Sequence, residues 1–165
     1  DAIGVRLEDL KNNPKKTIPA LCQWMEIKEE KTLYEMTAQG KKWWGDSSAP
    51  NMPAFGKLNE SKVGNIFSTN DRFVLNTLFY PFNVRFGYVE ENLQQFKLDI
   101  KRVRPMLDQV FDFEKDIINR TKTSLEEFKK SGMYLYLRTR MIERWEILNK
   151  DYTYPNMLKP LKIKI

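Results

Sequence analysis

Hydrophobic positions recur every three or four residues over most of this chain, which is the spacing of one helical face. The clearest stripe of this kind lies near the C-terminus and predicts a long helix. Its members are Tyr134, Arg138, Met141, Trp145 and Leu148. We interpret the stripe as facing the core rather than a cofactor, since apolar stripes at this spacing usually pack inside a protein. The pattern predicts a mainly α chain with at most one short strand.

A strand–turn–helix unit is predicted at the start of the chain. Residues 3–7 form a short β-prone run, and Asn13-Pro14 has the capping residue and the proline that are typical of a helix start. In the helix that follows, Pro19 is compatible only with a place in the first turn. Cys22 lies in its apolar pattern and is predicted to be a buried thiol. Such units usually belong to α/β sheets.

The residue pattern between residues 29 and 87 predicts a short helix, a long loop and a buried helix. Residues 29–38 have a helical pattern, whereas glycines and prolines interrupt residues 39–59. The next helix has several possible caps in residues 68–71, a predicted kink at Pro81 and a C-terminal stop at Gly87. Apolar residues cover most of its faces, which predicts that it is buried.

The C-terminal part predicts further helices and an extended tail. Pro105 is predicted to begin one helix, and the capping-box pattern of residues 124–127 is predicted to begin the last one. Gly132 would weaken the first turns of that last helix. The residues after Tyr154 include two prolines and are predicted to be extended.

The long loop opens on a run that suits neither a strand nor a helix interior: Gly40-Lys41-Lys42-Trp43-Trp44-Gly45-Asp46. Its lysines supply cationic donors and its indoles supply flat faces, so it could close over an anionic ligand that carries a ring. The candidate nucleotide-binding residues are Lys41, Lys42, Trp43, Trp44 and Gly45. The alternative is that the two tryptophans fill a hydrophobic gap while the lysines face water.

Composition limits the possible chemistry. The chain has no histidine and one cysteine, which excludes histidine-based catalytic pairs, His-bearing zinc sites and internal disulfides. We therefore assign no catalytic residue and no metal. The lack of a disulfide favours a reducing compartment, and we expect a cytoplasmic protein. No stretch approaches the roughly 20 apolar residues of a membrane span.

Charge divides the chain into two parts near residue 92. The net charge is +6, and the excess of basic residues lies entirely in residues 93–165. That part has two basic clusters: Lys97, Lys101, Arg102 and Arg104, and Arg138, Arg140 and Arg144. These clusters predict either a binding surface for an acidic partner or a solvated face. Specific nucleic-acid binding is not expected, since no known DNA- or RNA-binding motif occurs.

Three segments between residue 3 and about residue 90 carry a resemblance to a known family. The first is Val5-Arg6-Leu7-Glu8-Asp9-Leu10, followed by Asn13-Pro14 and an apolar helix. The second is the run from Gly40 to Asp46, followed by Ser47-Ser48-Ala49-Pro50. The third runs from Phe82 to Phe86-Gly87-Tyr88. In this order they resemble the C-terminal third of a bacterial-type sulfotransferase domain.

The resemblance implies that residues 1–92 are the C-terminal part of an α/β, P-loop-like sulfotransferase domain, and that residues 93–165 are a basic helical extension. It implies transfer of a sulfuryl group from 3′-phosphoadenosine 5′-phosphosulfate (PAPS) to a hydroxyl or amine acceptor, with the Gly40–Asp46 loop as part of a lid. The alternative for Arg6, Glu8 and Asp9 is structural, at the end of a strand and the start of a turn.

Several parts of the family's site have no counterpart in this sequence. They are the Gly-rich phosphosulfate loop, the ligands of the 3′-phosphate and the usual catalytic base. We therefore expect the chain alone to be inactive, with the upstream part of the domain as its partner. Apolar surface is expected where the missing sheet would pack, and a homo-oligomer would cover it. The alternative function is a non-catalytic helical module whose basic surface binds an acidic partner.

Overall fold

The computed structural model describes residues 1–35 and 66–163 and, between them, two short strands, β2 (Thr37–Ala38) and β3 (Lys41–Lys42). Helices make up most of the described residues, which confirms the predicted mainly α fold. The described part contains four strands where the sequence predicts at most one, but each is only two residues long, and they form two separate two-stranded pairings.

The chain divides into two compact units. One comprises Asp1–Val63 together with Leu158–Ile165, and the other comprises Gly64–Met157. Residue 92, where the sequence predicts a join, lies inside the second unit. The predicted extent of the sulfotransferase-like part stays a prediction.

The first unit begins with β1 (Ile3–Gly4), α1 (Leu7–Asn12) and α2 (Pro14–Met25). β1 pairs in parallel with β4 (Lys159–Pro160), which returns from the other end of the chain. The strand predicted over residues 3–7 is wrong in length, because its last residue already begins α1. The tail after Tyr154 is extended only in part, since it contains a turn before β4.

Helix α2 begins where the sequence predicts, with Pro14 in its first turn. The hydroxyl of Thr17 donates to the carbonyl of Asp9 at 2.8 Å and so joins α2 to α1. Cys22 is buried, as predicted. The expectation for Pro19 is wrong, because this proline lies inside the helix and beyond its first turn. Its neighbours Thr17 and Cys22 are buried, so packing offsets the one backbone bond that a proline cannot donate.

The short helix predicted over residues 29–38 is wrong. A single 3-10 turn, Lys31–Tyr34, forms in its place, and the chain then enters β2. β2 pairs antiparallel with β3, so that Thr37 lies opposite Lys42 and Ala38 lies opposite Lys41. The strand pairing satisfies backbone groups that a longer helix would otherwise use.

The described part of the second unit contains six α-helices. They are α3 (Thr69–Leu78), α4 (Tyr80–Arg85), α5 (Leu93–Met106), α6 (Asp112–Thr121), α7 (Leu125–Lys130) and α8 (Gly132–Asp151). Ser68 and Ser124 begin α3 and α7 through capping boxes. Gly87 has a φ of 70° and follows α4, as expected of a C-terminal stop. No helix in the described ranges is both long enough and apolar enough to cross a membrane.

Three helix boundaries in this unit differ from the prediction. The chain breaks at Phe79, so that Pro81 lies in the first turn of a new helix instead of kinking one helix. Pro105 lies at the end of α5 and begins no helix. Ser124 begins only the short α7, and the last helix starts separately at Ser131, whose hydroxyl accepts a backbone N–H. Proline suits a first turn, and near a helix end it removes only one bond.

The core of the second unit lies between α3, α5 and α8. Its buried side chains include Val74, Leu78, Phe96, Ile100, Val103, Met141 and Leu148. The stripe predicted on α8 faces this core, which confirms its interpretation as packing. Trp145 Nε1 donates to the carbonyl of Ile100 at 2.7 Å and so joins α8 to α5.

Replacing Trp145 by phenylalanine removes the indole N–H and keeps an aromatic ring at the same position. We expect the free energy of unfolding to fall by about 1–2 kcal/mol, because a hydrogen bond and part of the packing are lost. Urea unfolding followed by circular dichroism measures the change. The control is Trp24→Phe, since Trp24 is 41% exposed. Equal losses in the two variants would contradict a stabilising role for the bond.

Candidate functional site

The predicted nucleotide-binding loop is described only in part. Lys41 and Lys42 form strand β3, and its backbone pairs with β2. Trp43, Trp44 and Gly45 lie outside the described residues. A nucleotide-binding role for these five residues therefore stays a prediction.

The basic cluster predicted on α8 does not form one surface. Arg138 is only 6% exposed and is enclosed by the unit's core, so its place in a surface cluster is wrong. Arg140 is exposed and pairs with Glu143 at 2.7 Å. Arg144 lies over the ring of Phe79, at 5.1 Å from its centroid. Three side chains on one helix thus have three different environments, because successive helical positions rotate around the axis.

A buried group of three charged residues connects the helices of this unit. Asp71, Glu114 and Arg138 come from α3, α6 and α8, and they are 2%, 1% and 6% exposed. Asp71 accepts backbone N–H bonds from Asp112 at 3.0 Å and from Phe113 at 3.2 Å. Its carboxylate therefore lies at the start of α6, where the helix dipole favours a negative charge.

Glu114 and Arg138 form the centre of this buried charge network. One carboxylate oxygen of Glu114 accepts both the Arg138 guanidinium and the backbone N–H of Phe111. Arg138 Nη1 also donates to the carbonyl of Leu107 at 3.2 Å. The guanidinium lies over the rings of Phe111 and Tyr134, at 4.1 and 4.9 Å from their centroids. These contacts hold Arg138 in place and leave it closed to a ligand from solvent.

The network is not fully satisfied by hydrogen bonds. Within the described part of the chain, Glu114 Oε1 and Arg138 Nε are buried and have no hydrogen-bond partner. Burial raises the pKa of Glu114 above its ordinary value, and the nearby charge of Asp71 acts in the same direction. The bonds from Phe111 and Arg138 offset this only in part. The folded protein therefore favours the protonated form of this carboxyl more than the unfolded chain does.

The basic cluster on α5 forms a surface stripe that also involves α8. Lys97, Lys101 and Arg104 are spaced by four and three residues, so they share one face of the helix. Lys97 and Lys101 are exposed. Lys97 lies 4.7 Å from the ring centroid of Tyr152, and Arg104 lies 5.7 Å from that of Trp145. We call these three cations the α5 basic stripe. Arg102 lies on another face and pairs with Asp99.

Sequence reasoning missed the buried charge network. Asp71 was visible only as one of several possible helix caps, and nothing local connects it to α6, which is 41 residues further on. The one available signal was Arg138, an arginine within an apolar stripe. A buried arginine requires a carboxylate partner, but the sequence does not say which of the acidic residues supplies it.

No metal site is found in the part of the chain that the structure describes, where no group of three or more acidic, histidine or cysteine residues could hold an ion. Comparisons of the chain with protein-family models, with curated proteins and with solved structures find no match. The functional assignment therefore depends on the sequence motifs and on the surfaces described above.

Glu114→Gln tests the raised pKa of this buried carboxyl. A raised folded-state pKa adds stability that is fully present below about pH 4 and is lost as the pH rises through the folded-state value. Because glutamine does not ionise, we expect the wild-type stability minus that of the variant to decrease from about pH 4 to pH 8. Urea unfolding at several pH values measures this difference.

Glu127→Gln is the control of opposite sign. Hydrogen bonds from Ser124 lower the pKa of this exposed carboxyl. Glu127 therefore adds to the stability of the fold above its ordinary pKa, and this added stability is lost as the pH falls. A wild-type advantage over Glu114→Gln that increases with pH would contradict the raised pKa of Glu114.

Proposed function

We propose that this chain is the C-terminal part of a sulfotransferase that moves a sulfuryl group from PAPS to a hydroxyl or amine acceptor. The ordered set of motifs between residue 3 and about residue 90 carries the proposal. Two structural details support it. β1 is followed by α1 and α2, which is the order of strand and helix that the resemblance implies. Helix α4 is followed by Gly87 with a φ of 70°, which fits a closing helix that stops before Gly-Tyr.

In such a transfer the acceptor atom attacks the sulfur, and the bond between sulfur and the phosphate oxygen breaks. The leaving group is 3′-phosphoadenosine 5′-phosphate, and a base takes the proton of the acceptor. This chain would contribute part of the donor lid through Lys41, Lys42, Trp43, Trp44 and Gly45. Lysine would act as a point charge toward phosphate, and the indoles would stack on the adenine. The base and most phosphate ligands would belong to the upstream part of the domain.

The lid proposal predicts measurable binding of 3′-phosphoadenosine 5′-phosphate to the full chain. Calorimetric titration should give a heat of binding that Lys41→Ala and Trp43→Ala abolish, because each variant removes a direct ligand contact. Lys15→Ala, which removes an exposed lysine from α2, is the matched control and should bind as the wild type does. The absence of binding, or an equal loss in the control, would contradict a nucleotide lid in this chain.

The reading frame of the gene tests the enzyme assignment separately. A sulfotransferase requires an upstream strand followed by a Gly-rich loop with lysine and serine or threonine, because the donor phosphates need backbone N–H groups and a cation. Such a segment upstream of Asp1 would support the proposal. A frame that starts near Asp1 would contradict it.

The second candidate function is a non-catalytic module that binds an acidic partner through the α5 basic stripe. The observation that favours it is the common face of Lys97, Lys101 and Arg104 next to two aromatic rings, where the positive charge comes chiefly from the two exposed lysines because Arg104 pairs with Asp108 at 2.7 Å. A surface of this kind attracts polyanions and does so less strongly at high salt.

A heparin column tests this surface with a defined polyanion. Lys97→Glu combined with Lys101→Glu should lower the salt concentration of elution, because the charge of the stripe is reversed. The matched control reverses two exposed lysines of α7, Lys129 and Lys130, with the same change in net charge. A larger shift in the α5 variant supports the stripe, whereas equal shifts would show only an effect of net charge and would contradict it.

A further inference from the structure

Helix α8 has a second stripe, which is rotated away from its core-facing stripe and is mostly exposed. Its members alternate at spacings of three and four residues: Met133, Tyr136, Arg140, Glu143, Ile147 and Lys150. This is the spacing by which two helices pack side by side at a shallow angle. We call this set the outer stripe. The core-facing stripe of α8 has the same alternation and is already covered by α3 and α5.

The outer stripe exposes large apolar side chains. Met133 is 60% exposed and Tyr136 is 66% exposed, and the two lie three residues apart on the same face. Isolated exposed apolar residues are common, but a group of them on one helix end marks a contact surface. The charged members contact their neighbours in the stripe. Arg140 lies 5.3 Å from the ring centroid of Tyr136 and pairs with Glu143.

The order of residues along the outer stripe is self-complementary. If a second α8 runs antiparallel about the midpoint between Arg140 and Glu143, Arg140 lies opposite Glu143 of the second copy. Tyr136 then lies opposite the outer, accessible part of Ile147 of that copy, a side chain that is half-buried because it also packs against the core of its own unit. Met133 lies opposite the aliphatic stem of its Lys150. Each apolar residue thus meets an apolar surface, and Arg140 and Glu143 each meet the opposite charge.

We propose that two copies of this chain form a dimer through antiparallel pairing of their outer stripes. A two-fold axis between Arg140 and Glu143 makes the contact isologous, so one surface is complementary to itself. The ion pair within each helix already holds both side chains in place, so the four charges at the axis need little reordering. The net charge of +6 on each copy opposes association, which makes the opposite charges at the axis decisive.

Sedimentation equilibrium of the full chain from about 1 to 100 µM measures the dissociation constant. We expect a species of twice the 19.7 kDa protomer mass. Arg140→Glu places four acidic residues at the axis and Glu143→Arg places four basic ones, and each should weaken the dimer by about tenfold or more. The double variant Arg140→Glu/Glu143→Arg restores opposite charges and should return the dissociation constant to nearly the wild-type value.

Arg102→Glu on α5 is the matched control. Arg102 is exposed and pairs with an acidic residue three positions earlier, Asp99, so its reversal has the same effect on net charge and on a helical ion pair. The dimer should be as stable in this variant as in the wild type. A wild-type chain that stays monomeric over the whole range would overturn the proposal. So would a double variant that fails to recover, or a control that weakens the dimer equally.

Discussion

The ion pair between Glu114 and Arg138 is the interaction that most restricts how the helices of this unit can be arranged. It joins α6 to the core-facing side of α8, and the carboxylate of Asp71 next to it joins α3 to the start of α6. Buried charges are expensive unless they are paired and hydrogen-bonded. The position of each helix is therefore restricted by the need to keep these partners together. Apolar packing between α3, α5 and α8 supplies most of the stability, and the charges favour one arrangement of that packing.

The same helix explains why the unit has distinct surfaces. α8 buries one stripe in the core, including Arg138, and turns Arg140 and Glu143 to the opposite face. The rings of Trp145, in its core-facing stripe, and of Tyr152, just after its end, lie close to cations of α5. Arg138 is thus buried in the core, whereas Arg140, two residues further on, lies at the surface. The basic character of residues 93–165 is for this reason a poor measure of the charge that a partner meets.

The sequence predicts those parts of the fold that depend on local signals. A helix cap within residues 68–71, the capping box at Ser124, the start of α2 at Pro14 and the buried stripe of α8 are all visible in short windows of sequence. The structure has each of them, although Ser124 begins α7 and not the last helix. Pairings between distant residues are not visible in this way, such as β1 with β4 or Asp71 with the start of α6. The helix start predicted at Pro105 is wrong because tertiary packing extends α5 past this proline, although a proline locally favours a helix start. For the candidate site, the Gly40–Asp46 loop predicts binding of an anionic ligand that carries a ring. That Arg138 is buried, and so cannot bind a partner, is visible only in the folded structure.

A double-mutant cycle on Glu114 and Arg138 tests the central claim most directly. Arg138→Met leaves a carboxylate buried without its cation, so we expect a loss of about 3–5 kcal/mol in the free energy of unfolding. Glu114→Gln combined with Arg138→Met leaves no uncompensated charge at this pair and should cost clearly less than the sum of the two single variants. A coupling free energy of about 2 kcal/mol or more at neutral pH is the result that the account predicts. Additive losses would show that the two side chains act independently and would contradict it.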